Sequence, residues 1–153
     1  MYNVTILEFF VRAIPEAFLF VFSTYTFSKV SIDKRKYLLS SVFMAISAFV
    51  IRSLPIHFGV HTMLALIALI VINVSINKFE VVKATQAVII TFIVELICEG
   101  LNFIIIQYVL RININLVFED VRYKLLYSSP SLLIFGCLVS AIYFILLKRN
   151  KLR

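Results

Sequence analysis

Charged residues inside apolar stretches are the feature of this chain most able to do chemistry. Arg12 and Glu16 lie one helical turn apart in the first apolar stretch, and Glu95 and Glu99 have the same spacing in the fourth. A charge in hydrocarbon costs about 2.5–3.5 kcal/mol on insertion scales, so such side chains usually face a partner or a water-filled cavity. The spacing therefore predicts either an internal ion-pair network that holds helices in register or a polar site for a charged ligand or a proton.

The composition restricts the class of protein that could carry these residues. Hydrophobic residues make up 62% of the 153, charged residues only 15%, and the mean hydropathy is +1.03. This leaves too little polar surface to cover a soluble globule of this size. With three glycines and three prolines the chain lacks flexible linkers, so we expect one integral membrane domain over residues 1–153. Its richness in Ile, Phe, Asn and Lys is typical of a bacterium with a low-GC genome.

The apolar stretches predict an all-α transmembrane bundle of about five spans. Roughly 20 residues rising ~1.5 Å each cross a hydrocarbon core of about 30 Å. The predicted spans cover residues 5–27, 37–54, 60–76, 84–110 and 131–147, the last beginning at 130 or 131. Between the fourth and fifth spans, apolar residues at helical spacing among charged ones predict a short amphipathic helix on the outer surface.

The distribution of Lys and Arg predicts the orientation. Ten of these residues fall in the predicted loops and tail on one side of the membrane: Lys29, Lys34, Arg35, Lys36, Lys78, Lys83, Lys148, Arg149, Lys151 and Arg153. By the positive-inside rule the N-terminus lies outside and the C-terminus lies in the cytoplasm of a multi-pass protein of the cell membrane. The net charge of +7 mostly reflects this bias, with a minor attraction to anionic lipid headgroups. Because the cations are split among short loops, nucleic-acid binding is not expected.

Depth along the predicted spans suggests where the intramembrane charges meet. Counted from the outer face, Arg12 lies roughly 10 Å deep, Glu16 and Glu99 about 16 Å, and Glu95 about 22 Å, with Arg52 at the outer mouth. We therefore expect a polar cavity in the outer half, in which Arg12 of the first span approaches Glu99 of the fourth. The predicted ligand contacts are Arg12, Glu16, Arg52, Glu95, Glu99 and Asn102, with His57, His61 and Gln107 at the rim.

Other chemistry is weakly indicated. His57 and His61 have the spacing of two metal ligands on a helix, but Phe58 stands where a zinc protease motif has its glutamate. Cys98 and Cys137 fall inside predicted spans and are expected to be small core residues. No glycine-rich phosphate loop and no combination of nucleophile, base and oxyanion site is visible, so we expect neither an enzyme nor a bound metal or cofactor.

Five segments taken in order resemble a known class of membrane module. They are RAIPEAFLF, KRKYLLSS, IRSLPIHFGVHT, ELICEGLN and SSPSLLIF, and together they resemble the membrane-spanning sensor modules of peptide-sensing histidine kinases of Gram-positive bacteria. The resemblance implies a bundle that receives a secreted peptide from outside. The sequence stops at LLKRNKLR, where such a kinase would continue, so autophosphorylation is not implied. We expect a stand-alone module that sequesters its ligand or acts through a membrane partner or a second copy.

Two classes of function remain open from the sequence. The first is a sensory or regulatory module that binds an extracellular peptide or small ligand in the outer cavity. The second is a small transport component, either a substrate-binding subunit or a proton-coupled carrier that uses Glu95 and Glu99. A carrier of five spans without inverted repeats would require an oligomer.

Overall fold

The computed structural model describes residues 13–54, 58–109 and 121–149, and the regular secondary structure in these ranges is entirely helical. There are five α-helices: α1 Ile14–Ser28, α2 Lys34–Ser53, α3 Phe58–Ser75, α4 Val81–Ile104 and α5 Val121–Lys148. A π-helical segment, Ile105–Val109, continues α4 directly.

Three of these helices are long and apolar enough to cross a membrane. They are α2, α4 with its π-helical continuation to Tyr108, and the Pro130–Lys148 part of α5, while α3 contributes the shorter apolar segment Val60–Ser75. Only 22%, 28% and 17% of the three long segments is buried inside the bundle. A soluble protein rarely exposes so much contiguous apolar surface, so the chain is a membrane protein whose outward apolar faces contact lipid.

The central element is α1, which packs against each of the other four helices. Helices α1 and α3 run in the same direction, since Thr24 near the end of α1 contacts Asn73 near the end of α3. Helix α4 runs in the opposite direction, since Ser23 in the second half of α1 contacts Thr91 in the first half of α4. One end of the bundle, here called the Arg52 end, holds the start of α1 and the end of α2. The opposite end, here called the basic end, holds the 29–33 and 76–80 loops and the end of α5.

Two apolar clusters pack around α1. In the first, Tyr25 lies between two rings, with centroid distances of 5.0 Å to Phe79 and 6.2 Å to Tyr37. The second cluster joins α4 and α5 to α1 through Cys98, Phe135 and Val139. Edge-to-face aromatic packing of this kind adds to area burial, so the basic half of α1 is firmly fixed.

The structure differs from the sequence prediction at the start of the last helix. A separate amphipathic helix followed by a span from Pro130 was predicted, but from Val121 onward the segment is continuous with α5 and passes through Pro130. A membrane helix tolerates an internal proline because neighbouring groups satisfy the backbone carbonyl that loses its donor. Cys98 is buried as predicted, whereas Cys137 is exposed on the outward face of α5.

Candidate functional site

An ion pair ties α1 to α2 at the Arg52 end, with one guanidinium nitrogen shared by both carboxylate oxygens. The Nη2 atom of Arg52 donates to Glu16 Oε1 at 2.7 Å and to Oε2 at 2.9 Å. The Glu16 side chain is only 10% exposed, while the Arg52 side chain is 36% exposed. The carboxylate is therefore sequestered between the helices, and the cation that neutralises it is open at the end of the bundle.

The local sequence favours a cation at the position of Arg52, which lies in the last turn of α2. A cation near a helix C-terminus is stabilised by the backbone dipoles. Glu16 lies next to Pro15 in α1, and Ala13 before it also has helical backbone angles. Arg52 thus complements the end of its own helix as well as the Glu16 carboxylate.

Arg52, the partner of Glu16 among the described residues, is not the one that spacing along the chain suggested. Counted from the turn that joins the helices, Glu16 is 12 residues before Ser28 and Arg52 is 18 residues after Lys34, which separates their levels by about 9 Å. The long Arg52 side chain bridges this difference. Arg12, predicted to pair with Glu16 and Glu99, lies outside the described residues, so those two pairs stay predictions.

The other predicted contacts occupy different environments on α4. Asn102 is buried at 6% exposure, Glu95 is partly buried, and Glu99 is exposed. The two glutamates are one turn apart but differ in solvent exposure, so they do not lie together in one buried pocket. Glu99 stands beside Gly100, where an added Cβ would meet no atom of the described residues within 4 Å, so this side of α4 is open with respect to the described helices.

Of the three predicted rim residues the structure describes two, and these lie in different settings. Gln107 is exposed in the π-helical segment, and His61 is partly buried in the second turn of α3. Within the described ranges the Nδ1 atom of His61 has no hydrogen-bond partner. His57 lies outside the described residues. The described part of the chain holds no group of three His, Cys, Asp or Glu side chains placed to hold a metal.

A second polar cluster, in the half towards the basic end, was not predicted from the sequence. This polar network joins α1, α3 and α4 through six side chains, each at most 6% exposed: Ser23, Thr24, Tyr25, Asn73, Asn77 and Thr91. Its signal in the sequence is the STYT run of residues 23–26, followed by two asparagines one turn apart. Such a signal is weak because hydroxyls are common in membrane helices, where they often bond their own backbone.

The polar network is neutral and nearly complete. The Tyr25 hydroxyl donates to Asn77 Oδ1, and Asn77 Nδ2 donates to Asn73 Oδ1, each at 2.8 Å. Ser23 and Thr91 hydroxyl oxygens lie 2.8 Å apart. Asn73 Nδ2 has no partner among the residues that the structure describes. These bonds join helices without burying a charge, which suits a structural role.

Comparison with protein-family models, with curated proteins and with solved structures finds no match.

Proposed function

We propose that this chain is a non-enzymatic, multi-pass sensory or regulatory module of a bacterial cell membrane. In this proposal it has five spans, with the Arg52 end outside and the basic end in the cytoplasm. It binds an extracellular peptide or small ligand at the Arg52 end and acts through a membrane partner or a second copy.

The observation that carries the proposal is the unequal burial of the ion pair. The Glu16 side chain is 10% exposed, whereas the Arg52 side chain is 36% exposed. Guanidinium groups present several donors in a planar fork that matches a carboxylate. An incoming carboxylate, such as the C-terminus of a peptide, would share or replace Glu16 as the acceptor for Arg52. Loosening of the α1–α2 contact would then transmit binding to the rest of the bundle, since α1 touches all four other helices.

The orientation is supported by charge. The described residues at the basic end include eight exposed cations and two acids, with a net charge of +6: Lys29, Lys34, Arg35, Lys36, Lys78, Lys83, Lys148 and Arg149 against Asp33 and Glu80. Such an excess is typical of cytoplasmic loops. A reporter that is active only in the cytoplasm, fused after residue 153, should be active; an inactive fusion of a normally expressed protein would place the Arg52 end inside and contradict the proposal.

Ligand binding can be tested by photocrosslinking in the source organism. A benzophenone amino acid replaces Ser53, which is exposed and adjacent to Arg52, and in a control it replaces Met63, an exposed apolar position on α3. After irradiation of growing cells, the purified protein is analysed by mass spectrometry. We expect a peptide or small-molecule adduct at position 53 that is absent at position 63 and is lost in the Arg52→Gln variant.

Two results would overturn the ligand proposal. Lipid adducts alone at both positions would mean that the Arg52 end simply faces the bilayer. A peptide adduct of equal yield in the Arg52→Gln variant would mean that the ion pair does not recognise the ligand.

A transport component is the second candidate, favoured by the two acids one turn apart on α4, with Glu95 partly buried and Glu99 exposed. Carboxylates at this spacing can exchange a proton along a helix. A proton flux into proteoliposomes that falls at least tenfold in the Glu99→Gln variant would favour this candidate. A leak equal to that of empty liposomes would exclude a proton-coupled carrier.

A further inference from the structure

The basic end carries a groove between the loop that follows α1 and the loop that follows α3. Ser28 and Val30 line one side, and residues 77–80 with Lys83 line the other, around a volume of about 190 Å³. Sites for drug-sized ligands start at roughly 300 Å³, so the groove is large enough only for a small group. Phe79, which packs on Tyr25, gives it an apolar wall, and Lys78 gives it a cation.

The backbone at this groove is unusual in a way that involves its lysines. Lys29 and Lys78 have φ angles of 56° and 59° and are the non-glycine residues with positive φ within the described ranges. Lys29 closes α1, where its N–H bonds the Thr26 carbonyl at 3.1 Å, and this position is usually occupied by glycine. Glycine adopts the left-handed region without the steric cost that a lysine has. The chain therefore has a lysine at two positions where the backbone angles favour glycine.

Both strained lysines adjoin the groove. Lys78 is one of its lining residues, and Lys29 lies between Ser28 and Val30, which line the opposite side. The Lys83 ammonium is paired with Glu80 at 3.0 Å, so the unbalanced positive charge at the groove comes from Lys78, with Lys29 beside it. The Ser28 hydroxyl oxygen is buried and has no partner among the described residues. These groups together would suit a phosphate ester.

We propose that this groove binds the phosphate of an anionic membrane lipid. In a bilayer spanned by the three long apolar helices, the helix ends lie at headgroup level, where lipid phosphates are abundant anions. The positive charge of this end complements an anionic headgroup. The acyl chains would continue along the apolar outer faces of the helices, and the small volume admits the phosphate alone.

The test uses the purified full chain in a neutral detergent, with phosphatidylglycerol, phosphatidylcholine and inorganic phosphate as the three probes. At a phosphatidylglycerol concentration about 100-fold above its Kd, we expect Tm to rise by roughly 5–10 °C. Phosphatidylcholine and inorganic phosphate should raise Tm by less than half as much. This measurement does not involve the Arg52 end, so the lipid site and the proposed sensory function can fail independently.

Variants of the lysines locate the site. Lys78→Gly should keep or raise the lipid-free Tm, because glycine relieves the positive φ, yet lose at least half of the lipid-induced shift. Lys78→Arg should keep the shift. Lys148→Gln, which removes one exposed charge at the same end but outside the groove, is the matched control and should also keep it.

Three outcomes would overturn the proposal. Equal losses in Lys78→Gly and Lys148→Gln would show diffuse attraction to the whole basic end. An unchanged shift in Lys78→Gly would remove the groove from lipid binding. An equal shift with inorganic phosphate would indicate a site for a free anion and not for a lipid.

Discussion

Two polar clusters in the described part of the bundle join helices through different kinds of bond. Towards the basic end, the polar network joins α1 to α3 and α4 with neutral hydroxyl and amide groups. At the Arg52 end, α1 is joined to α2 by a full ionic charge of each sign. Neutral bonds between membrane helices contribute ~0.6 kcal/mol on average, whereas an ion pair carries a large desolvation cost that its own attraction offsets only in good geometry.

This difference bears on function. The neutral network joins α1 to α3 and α4 without burying a charge. The ion pair at the Arg52 end has a desolvation cost that such neutral bonds avoid, and one of its members stays accessible. The comparison therefore favours the Arg52 end as the place where something binds, and three sets of substitutions test it.

The largest loss of stability is expected from breaking the ion pair, and the loss should differ between the two single variants. Arg52→Gln leaves the Glu16 carboxylate buried without this counter-charge, while Glu16→Gln leaves a cation that is already 36% exposed. We expect Arg52→Gln to cost about 2–3 kcal/mol, below the ~3–5 kcal/mol of a fully buried pair because Arg52 is partly solvated. Glu16→Gln should cost about half as much. Denaturant titration in mixed micelles measures both values.

The double variant Glu16→Gln with Arg52→Gln is the control for this asymmetry. It should recover most of the stability lost in Arg52→Gln, since no charge is left buried. A larger loss from Glu16→Gln than from Arg52→Gln would show that the carboxylate is better solvated than its burial indicates.

An intermediate effect is expected in the polar network. Asn73→Ala removes the acceptor of the Asn77 amide and leaves a small void, so it should cost about 1–2 kcal/mol. Ser47→Ala on α2 is the matched control, because its hydroxyl bonds the Phe43 carbonyl of its own helix; it should change stability by less than ~0.5 kcal/mol. If Asn73→Ala were as costly as Arg52→Gln, the contrast between the two clusters would not hold.

The smallest effect compares two glycines in the helices. A Cβ at Gly100 meets open space, whereas a Cβ at Gly136 lies 3.3 Å from Leu19 Cδ2, which would have to move. Gly100→Ala should therefore gain up to about 0.8 kcal/mol from helix propensity, and Gly136→Ala should gain less. The two variants are compared by thermal unfolding in detergent. A loss of stability in Gly100→Ala would show that the open side of α4 is in contact with another molecule.

The sequence located the helices well because charged residues or a proline separate the apolar runs. The predicted span 37–54 corresponds to Lys34–Ser53, and 60–76 corresponds to Phe58–Ser75. The segment before Pro130 was harder, since a proline usually marks a helix boundary and here lies inside α5. The length and polarity of a segment thus predict that it is helical, but they do not predict whether two adjacent helical segments form one continuous helix.

The site was predictable only in part, for physical reasons. The sequence identified Glu16 and Arg52 as polar contacts, but it paired Glu16 with Arg12 on the same helix and placed Arg52 at the outer mouth. Depth counted at a fixed rise does not include the reach of an arginine side chain, which spans several ångströms. The polar network was missed because its hydroxyls and amides carry no charge and so do not stand out in an apolar run.

In the proposed function Arg52 recognises the ligand in addition to serving as the counter-ion of Glu16, and Arg52→Lys tests this most directly. Lysine keeps the charge that balances Glu16 but lacks the guanidinium fork. Stability in detergent and the adduct yield at position 53 are measured on the same preparations. We predict that Arg52→Lys keeps most of the stability that Arg52→Gln loses, while its peptide or small-molecule adduct falls at least fivefold. Undiminished adduct in Arg52→Lys and in Arg52→Gln would contradict the account and leave the ion pair a purely structural tie.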